Sequence, residues 1–93
     1  MNVAEFQQTL PLLPDDHEWR VSTYMIDTFK FGWELQIIHT DKGGWFGLFD
    51  KHTRVREAML TTYVNILPEK ELRQWAVVLR NQLKESLDTR SPA

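Results

Sequence analysis

Three histidines, His17, His39 and His52, could bind a metal or transfer a proton at neutral pH. Metal-binding histidine motifs place two ligands on one turn of a helix. No two of these histidines have that spacing, and each falls in a different predicted segment. We therefore expect no metal site and no bound cofactor. The predicted segments place His17 and His52 in exposed loops and His39 at the end of a strand.

A hydrolase would need a nucleophile, a base and a group that orients the base. The candidate serines are Ser22, Ser86 and Ser91. None of them follows a strand and precedes a helix in the sharp turn that exposes a catalytic serine. The sequence therefore predicts no catalytic residue among the hydroxyl groups.

Two carboxylate pairs could in principle divide the roles of general acid and base, namely Asp15 with Asp16 and Asp27 with Glu34. Solvated loops and strand faces explain these carboxylates better. The run at 43–47, GGWFG, has the glycine content of a phosphate-binding loop but lacks its lysine and precedes a predicted strand instead of a helix. We interpret it as part of a hairpin turn, and we expect the protein not to be an enzyme.

Length and composition indicate one small folded domain over residues 1–93. A second core would leave each half of a 93-residue chain close to the lower size limit for folding. Hydrophobic residues make up 42% of the chain and aromatic residues 12%, which is enough for a core and argues against disorder. The net charge of -2 disfavours nucleic-acid binding by overall electrostatics, although a local basic patch would still be compatible with it.

The chain has no cysteine, which excludes disulfides and fits a reducing compartment. The N-terminal residues carry no basic region ahead of an apolar run, so we expect no signal peptide. No apolar stretch approaches the about 20 residues that cross a bilayer. We therefore expect a cytoplasmic protein that does not enter a membrane.

Alternating apolar residues predict three antiparallel strands, over about 19–27, 33–40 and 45–50. In the second strand Trp33, Leu35, Ile37 and His39 share one face, which should point to the core. The sequence DKGG at 41–44 suits a tight turn between the second and third strands.

The apolar period changes to that of a helix after residue 53, and it predicts two C-terminal helices over about 53–66 and 68–87. Pro68 is well placed at the start of the second one. A short N-terminal helix belongs to a cover segment at 1–16, whose strip Leu10–Pro14 either packs over the core or forms an exposed docking strip; we favour packing. Residues 89–93 should form a frayed tail. The fold class is a two-layer α+β domain.

Aromatic residues outside the regular pattern raise the question of a partner. Phe29 and Phe31 fall within or beside the first predicted turn, where they are either buried or offered to a partner; we favour burial. Trp75, beside Val77 and Val78, widens the apolar face of the last helix. We expect the predicted helix at 53–66 and the N-terminal strip to cover Trp75, and the alternative is that it contacts a second copy of the chain or another protein.

Three antiparallel strands followed by a helix, with WFGLFD leading into REAMLTTY, resemble the sheet-reading DNA-binding domains of tyrosine-recombinase arm modules and plant Apetala-type regulators. The resemblance covers roughly residues 19–67 and rests on topology and a few apolar positions. It implies that an exposed sheet face lies in the major groove and that its arginines contact bases. Glu34, Gln36 and Ser22 are acidic or neutral, so they lower the share of basic residues on that face. Its basic residues would be Arg20, with Lys30, Lys42, Lys51, Arg54 and Arg56 at the margins.

The absence of a catalytic motif, the acidic balance and the surplus of aromatic residues together favour a small, non-enzymatic module that binds another protein or a second copy of itself. It would act as an adaptor, inhibitor or regulatory subunit. DNA binding through the sheet is the alternative, and an enzyme comes third. Whether the sheet face or the helix face binds the partner stays open. The candidate partner-binding residues are Arg20, Tyr24, Phe29, Phe31, Glu34, Gln36 and Trp75.

Overall fold

The computed structural model describes residues 2–41 and 50–90. The elements in this part of the chain are α1 (Val3–Gln8), β1 (His17–Asp27), β2 (Lys30–Asp41), β3 (Lys51–Thr62) and α2 (Glu69–Arg90). The strands form one antiparallel sheet in the order β1-β2-β3. The predicted α+β class, the three-stranded antiparallel sheet and the short N-terminal helix are therefore confirmed.

The central strand β2 has the predicted orientation. Trp33, Leu35 and Ile37 are buried in the main core, which lies between the sheet and the helices. Opposite them on β1, Val21 pairs with Leu35 and Trp19 with Ile37, so the apolar positions of both strands meet on one face. The core depends on this register, because a shift by one residue would turn every one of these side chains to the other face.

The third strand lies at Lys51–Thr62, and our prediction of a helix over 53–66 was wrong. The apolar residues there fit a helical spacing, but Ala58 and Leu60 also alternate, and they pair with Leu35 and Trp33 of β2. Strand pairing to a well-buried central strand outweighs the local preference for a helix. The predicted strand at 45–50 and the turn at 41–44 lie mostly outside the described residues.

A β-bulge explains why the alternation of β3 was hard to read. The register changes between Ile37 and Ile38 of β2, whose partners are Arg56 and Arg54, so that Val55 is the extra residue. Val55 packs against the core, and the side chains before the bulge are out of phase with those after it. A search for strict alternation over 51–62 therefore fails.

Helix α2, Glu69–Arg90, confirms the predicted last helix, and it is the only C-terminal helix among the described residues. Pro68 precedes its first residue, and Glu69 and Glu71 in the first turn favour the positive end of the helix dipole. The helix packs across β2 and β3. Its residues in the core are Leu72, Ala76, Leu79 and Leu83.

Helix α1 and the residues after it pack on the β1 side of the sheet. The Asn2 side chain caps α1 by accepting a hydrogen bond of 2.8 Å from the backbone N–H of Glu5, and Phe6 is fully buried in the core. Beyond the helix, the indole N–H of Trp19 donates to the carbonyl of Pro11 at 2.7 Å. Leu10 is buried, whereas Leu12 is exposed. These contacts tie the N-terminal residues to the edge strand.

Candidate functional site

Among the described residues, a group of exposed apolar side chains lies at the end of the sheet that holds the β1–β2 turn. Phe31 of β2 pairs with Thr62, the last residue of β3, so the chain that follows β3 emerges beside this turn. We call this region the hairpin-end surface. Its large exposed apolar residues are Tyr24, Met25, Ile26, Phe29, Tyr63, Val64 and Ile66.

The tight turn between β1 and β2 holds Phe29 outside the core. The backbone N–H of Phe29 donates to the Asp27 carboxylate at 2.9 Å, a local bond that fixes the turn. Phe29 is 74% exposed, so our expectation that it would be buried was wrong. Phe31, two residues further on, is half-buried and pairs with Met25. The turn is too short to fold the ring of Phe29 back over the sheet.

Two hydrogen bonds through the Thr62 hydroxyl fix the part of the hairpin-end surface that follows β3. The indole N–H of Trp33 donates to the Thr62 hydroxyl at 2.9 Å, and that hydroxyl donates to the carbonyl of Val64 at 3.1 Å. The residue between them, Tyr63, is 73% exposed. The buried indole therefore orders the backbone that carries an exposed aromatic ring.

The sheet face opposite the helices carries four of the predicted partner-binding residues. Arg20 lies directly opposite Gln36, and Tyr24 lies opposite Gly32. Gln36 is buried, and its amide donates to the Glu34 carboxylate at 3.2 Å. These residues form one strip across β1 and β2, with Tyr24 joining it to the hairpin-end surface.

On the sheet face opposite the helices, which we call the open sheet face, basic and acidic side chains balance each other. Arg54 of β3 forms an ion pair of 3.5 Å with Glu57, and Glu34 lies on the neighbouring strand. Arg56 belongs to the other side, where it lines a cavity beneath α2. The face is therefore less basic than the sequence alone suggested.

Trp75 lies far from the strip, on α2. It is 41% exposed, so our expectation that other segments would cover it was wrong. Together with Gln74 and Val78 it lines a surface depression of about 280 Å³. The predicted partner-binding residues are thus divided among the open sheet face, the β1–β2 turn and the helix layer.

The cavity beneath the C-terminal half of α2 is a feature that the sequence reasoning missed. Its volume is about 260 Å³, and it lies at the end of the sheet away from the hairpin-end surface. We call it the imidazole cavity, because His17 and His39 meet there. The sequence did contain a sign of this cavity. Extending the alternation of β1 back by two residues puts His17 opposite His39 in the register of β1 and β2.

Within residues 2–41 and 50–90, no three or more histidine, aspartate or glutamate side chains come together as a metal site would require. No helix in the described part of the chain is long and apolar enough to span a bilayer. No family model, curated protein or solved structure matches this chain.

Proposed function

We propose that this protein is a non-enzymatic, cytoplasmic interaction module that binds another protein through the hairpin-end surface, as an adaptor, inhibitor or regulatory subunit. The observation that carries the proposal is the exposure of seven large apolar side chains at one end of the sheet. Apolar surface gathered in this way marks interaction sites more often than scattered exposed residues do.

The composition of the surface supports a protein partner. Aromatic residues and methionine are enriched at the centres of protein interfaces, and large aromatic side chains contribute most of the binding energy there. Phe29 and Tyr63 are both close to three-quarters exposed, at 74% and 73%. Each is carried by backbone that a side-chain hydrogen bond fixes, so little conformational entropy is lost when a partner binds them.

The proposed occupant is a different protein that offers an apolar recess to Phe29. A symmetric dimer would place the same surface on both sides of the contact, and a projecting ring would then need a recess on that surface. The two recesses described above lie elsewhere, one beside Trp75 and the other at His17 and His39. We therefore take a different protein as the occupant, and binding of a second copy is an alternative outcome of the test.

The test compares matched variants of an immobilised protein in capture from a lysate of its own source cells. The double variant Phe29→Ala, Tyr63→Ser removes both rings. Leu12→Ser is the control, because Leu12 is 92% exposed but lies outside the hairpin-end surface. We expect the same partner to bind the wild type and Leu12→Ser, and to bind the double variant at least about tenfold more weakly. Equal retention by all three would overturn the proposal, as would a strictly monomeric protein that captures nothing.

DNA binding through the open sheet face is the second candidate function. Arg20 and Arg54 lie on either side of β2 on that face, where no helix covers them among the described residues. The ion pair of Arg54 and the acidic net charge count against it. A salt-dependent gel shift that disappears in Arg20→Ala, Arg54→Ala would place this function above the first.

A further inference from the structure

The imidazole cavity brings together basic side chains that are distant in sequence. His17 and His39 face each other across β1 and β2, with ring centroids 4.7 Å apart and ring planes tilted by 38°. Arg56 of β3 lines the same cavity, and α2 closes it with Ser86 between two leucines. Two imidazoles and a guanidinium thus share about 260 Å³.

The turn before β1 fixes the position of His17. The backbone N–H of His17 donates to Pro14 at 3.2 Å, and Asp16 has a positive φ of 64°. The carbonyl of Asp16 also accepts a hydrogen bond of 2.8 Å from Thr40 on β2, which ties the turn to the central strand. Backbone hydrogen bonds to Pro14 and to Thr40 therefore fix the turn that carries His17 into the cavity.

The hydrogen bond at one nitrogen of His17 leaves the other nitrogen for a ligand. Its Nδ1 lies 2.9 Å from the carbonyl oxygen of Asp15, and because a carbonyl can only accept, Nδ1 carries the proton. Protonation of the ring therefore adds a donor at Nε2.

The charges around the cavity are suited to an anion. Arg56 has five N–H donors, and one of them, on Nη1, is bonded to Val55 at 2.7 Å. No carboxylate is among the described residues that line the cavity. The acidic residues adjacent in sequence to the lining residues are Asp16, Glu18, Glu57, Glu85 and Asp88, and Lys84 is exposed on α2. Glu18 and Glu57 belong to the other face of the sheet, because neighbouring residues of a strand alternate between its faces.

We propose that the imidazole cavity binds a doubly charged oxyanion of the phosphate type, such as a phosphate monoester. Arg56 supplies charged donors for its oxygens, and charge-assisted bonds of this kind are the strong ones. Each imidazole adds a further N–H donor in its protonated form. A divalent metal would be the alternative ligand for two neutral imidazoles. The guanidinium and the absence of a third ligating side chain among the described residues count against it.

The test follows the imidazole signals of the full chain by NMR during titration with sodium sulfate, with ionic strength held constant by sodium chloride. Sulfate carries two negative charges at neutral pH, so it serves as the probe for a doubly charged oxyanion. The third histidine is an internal control, because His52 is exposed on β3 with its Nδ1 3.1 Å from the Thr40 hydroxyl.

We expect the signals of His17 and His39 to shift together and saturate, while those of His52 do not. Arg56→Gln should lower the affinity for sulfate by about tenfold, the loss of one charge-assisted bond, whereas Arg56→Lys and His52→Gln should stay within about threefold of the wild type.

Several results would overturn the proposal. Linear, equal shifts of all three histidines would show nonspecific ion effects only. Unchanged affinity in folded Arg56→Gln would show that the guanidinium does not bind the anion. If that variant does not fold, the shifts of His17 and His39 relative to His52 in the wild type remain decisive. Acetate binding as tightly as sulfate, or Zn²⁺ saturating His17 and His39 where sulfate does not, would assign a different ligand.

Discussion

The ring of Tyr24 lies over Gly32 on the neighbouring strand, directly opposite it in the register of β1 and β2. A Cβ atom at position 32 would come within 2.7 Å of the ring atom Cε2, so the ring could not keep its place beside a larger residue. Aromatic residues that cover a strand glycine in this way stabilise sheets. The pair also connects the open sheet face to the hairpin-end surface.

The first prediction concerns this pair. Tyr24→Ala should lower the free energy of unfolding by about 1 kcal/mol, because it uncovers the glycine. The same change should cost less in a Gly32→Ala background, where the methyl group has already displaced the ring. Urea unfolding of the two single variants and the double variant measures the coupling. Tyr63→Ala, an exposed tyrosine outside the strands, is the control and should change stability by less than about 0.5 kcal/mol. If the losses of unfolding free energy in the two single variants simply add in the double variant, the contact between Tyr24 and Gly32 is contradicted.

Thr62 links the buried indole of Trp33 to the backbone after β3. Thr62→Val keeps the shape of the side chain but removes the acceptor for the indole N–H and the donor to Val64. We expect a loss of about 1–3 kcal/mol, because an indole N–H is left without its partner. Thr61→Val, one residue earlier and exposed, is the matched control. Equal unfolding midpoints for the two variants would show that these bonds contribute nothing.

Gln7 protects the free edge of β1. Its side-chain oxygen accepts a hydrogen bond of 3.1 Å from the backbone N–H of Val21. Unpaired N–H groups on an edge strand invite pairing with other chains. Gln7→Met should therefore speed the exchange of the Val21 amide proton several-fold and promote aggregation, whereas Gln8→Met, on the exposed side of α1, should do neither. An unchanged exchange rate at Val21 would remove this role from Gln7.

Asp16 is the non-glycine residue with a positive φ in the described part of the chain. Asparagine tolerates this conformation, whereas a β-branched residue does not. Asp16→Val should cost about 1–3 kcal/mol in unfolding free energy, and Asp16→Asn less than about 1 kcal/mol. The contact between His17 and His39 should weaken in Asp16→Val, which imidazole chemical shifts would report. Similar stabilities of the two variants would show that the turn carries no strain.

Local patterns were sufficient for β1, β2 and α2. In β2, the alternation of Trp33, Leu35 and Ile37 indicated both the strand and its buried face, and Pro68 with the leucines after it indicated α2. The strand β3 could not be recognised in this way, because its helix-forming residues and the bulge at Val55 hide the alternation. Only the pairing with β2, a contact distant in sequence, makes this segment a strand.

The functional surfaces depend on the same distant contacts. Phe29 was a candidate from its position in a turn, but Tyr63 was assigned to a helix and so could not be placed beside it. The two histidines were dismissed because they lack the spacing of ligands on one helical turn and lie in separate segments, whereas the register makes them neighbours. Sequence reasoning found individual residues, and the strand register determines which of them lie together.

Site-specific photo-crosslinking tests the central claim most directly, because it reports contact at a chosen side chain. A photoreactive phenylalanine analogue would replace Phe29 in one variant and Leu12 in the other, both of which are well exposed. After irradiation in the source cells, we predict a discrete covalent adduct with another protein from position 29 and none from position 12. An adduct from position 12 alone, or none from position 29, would contradict binding through the hairpin-end surface.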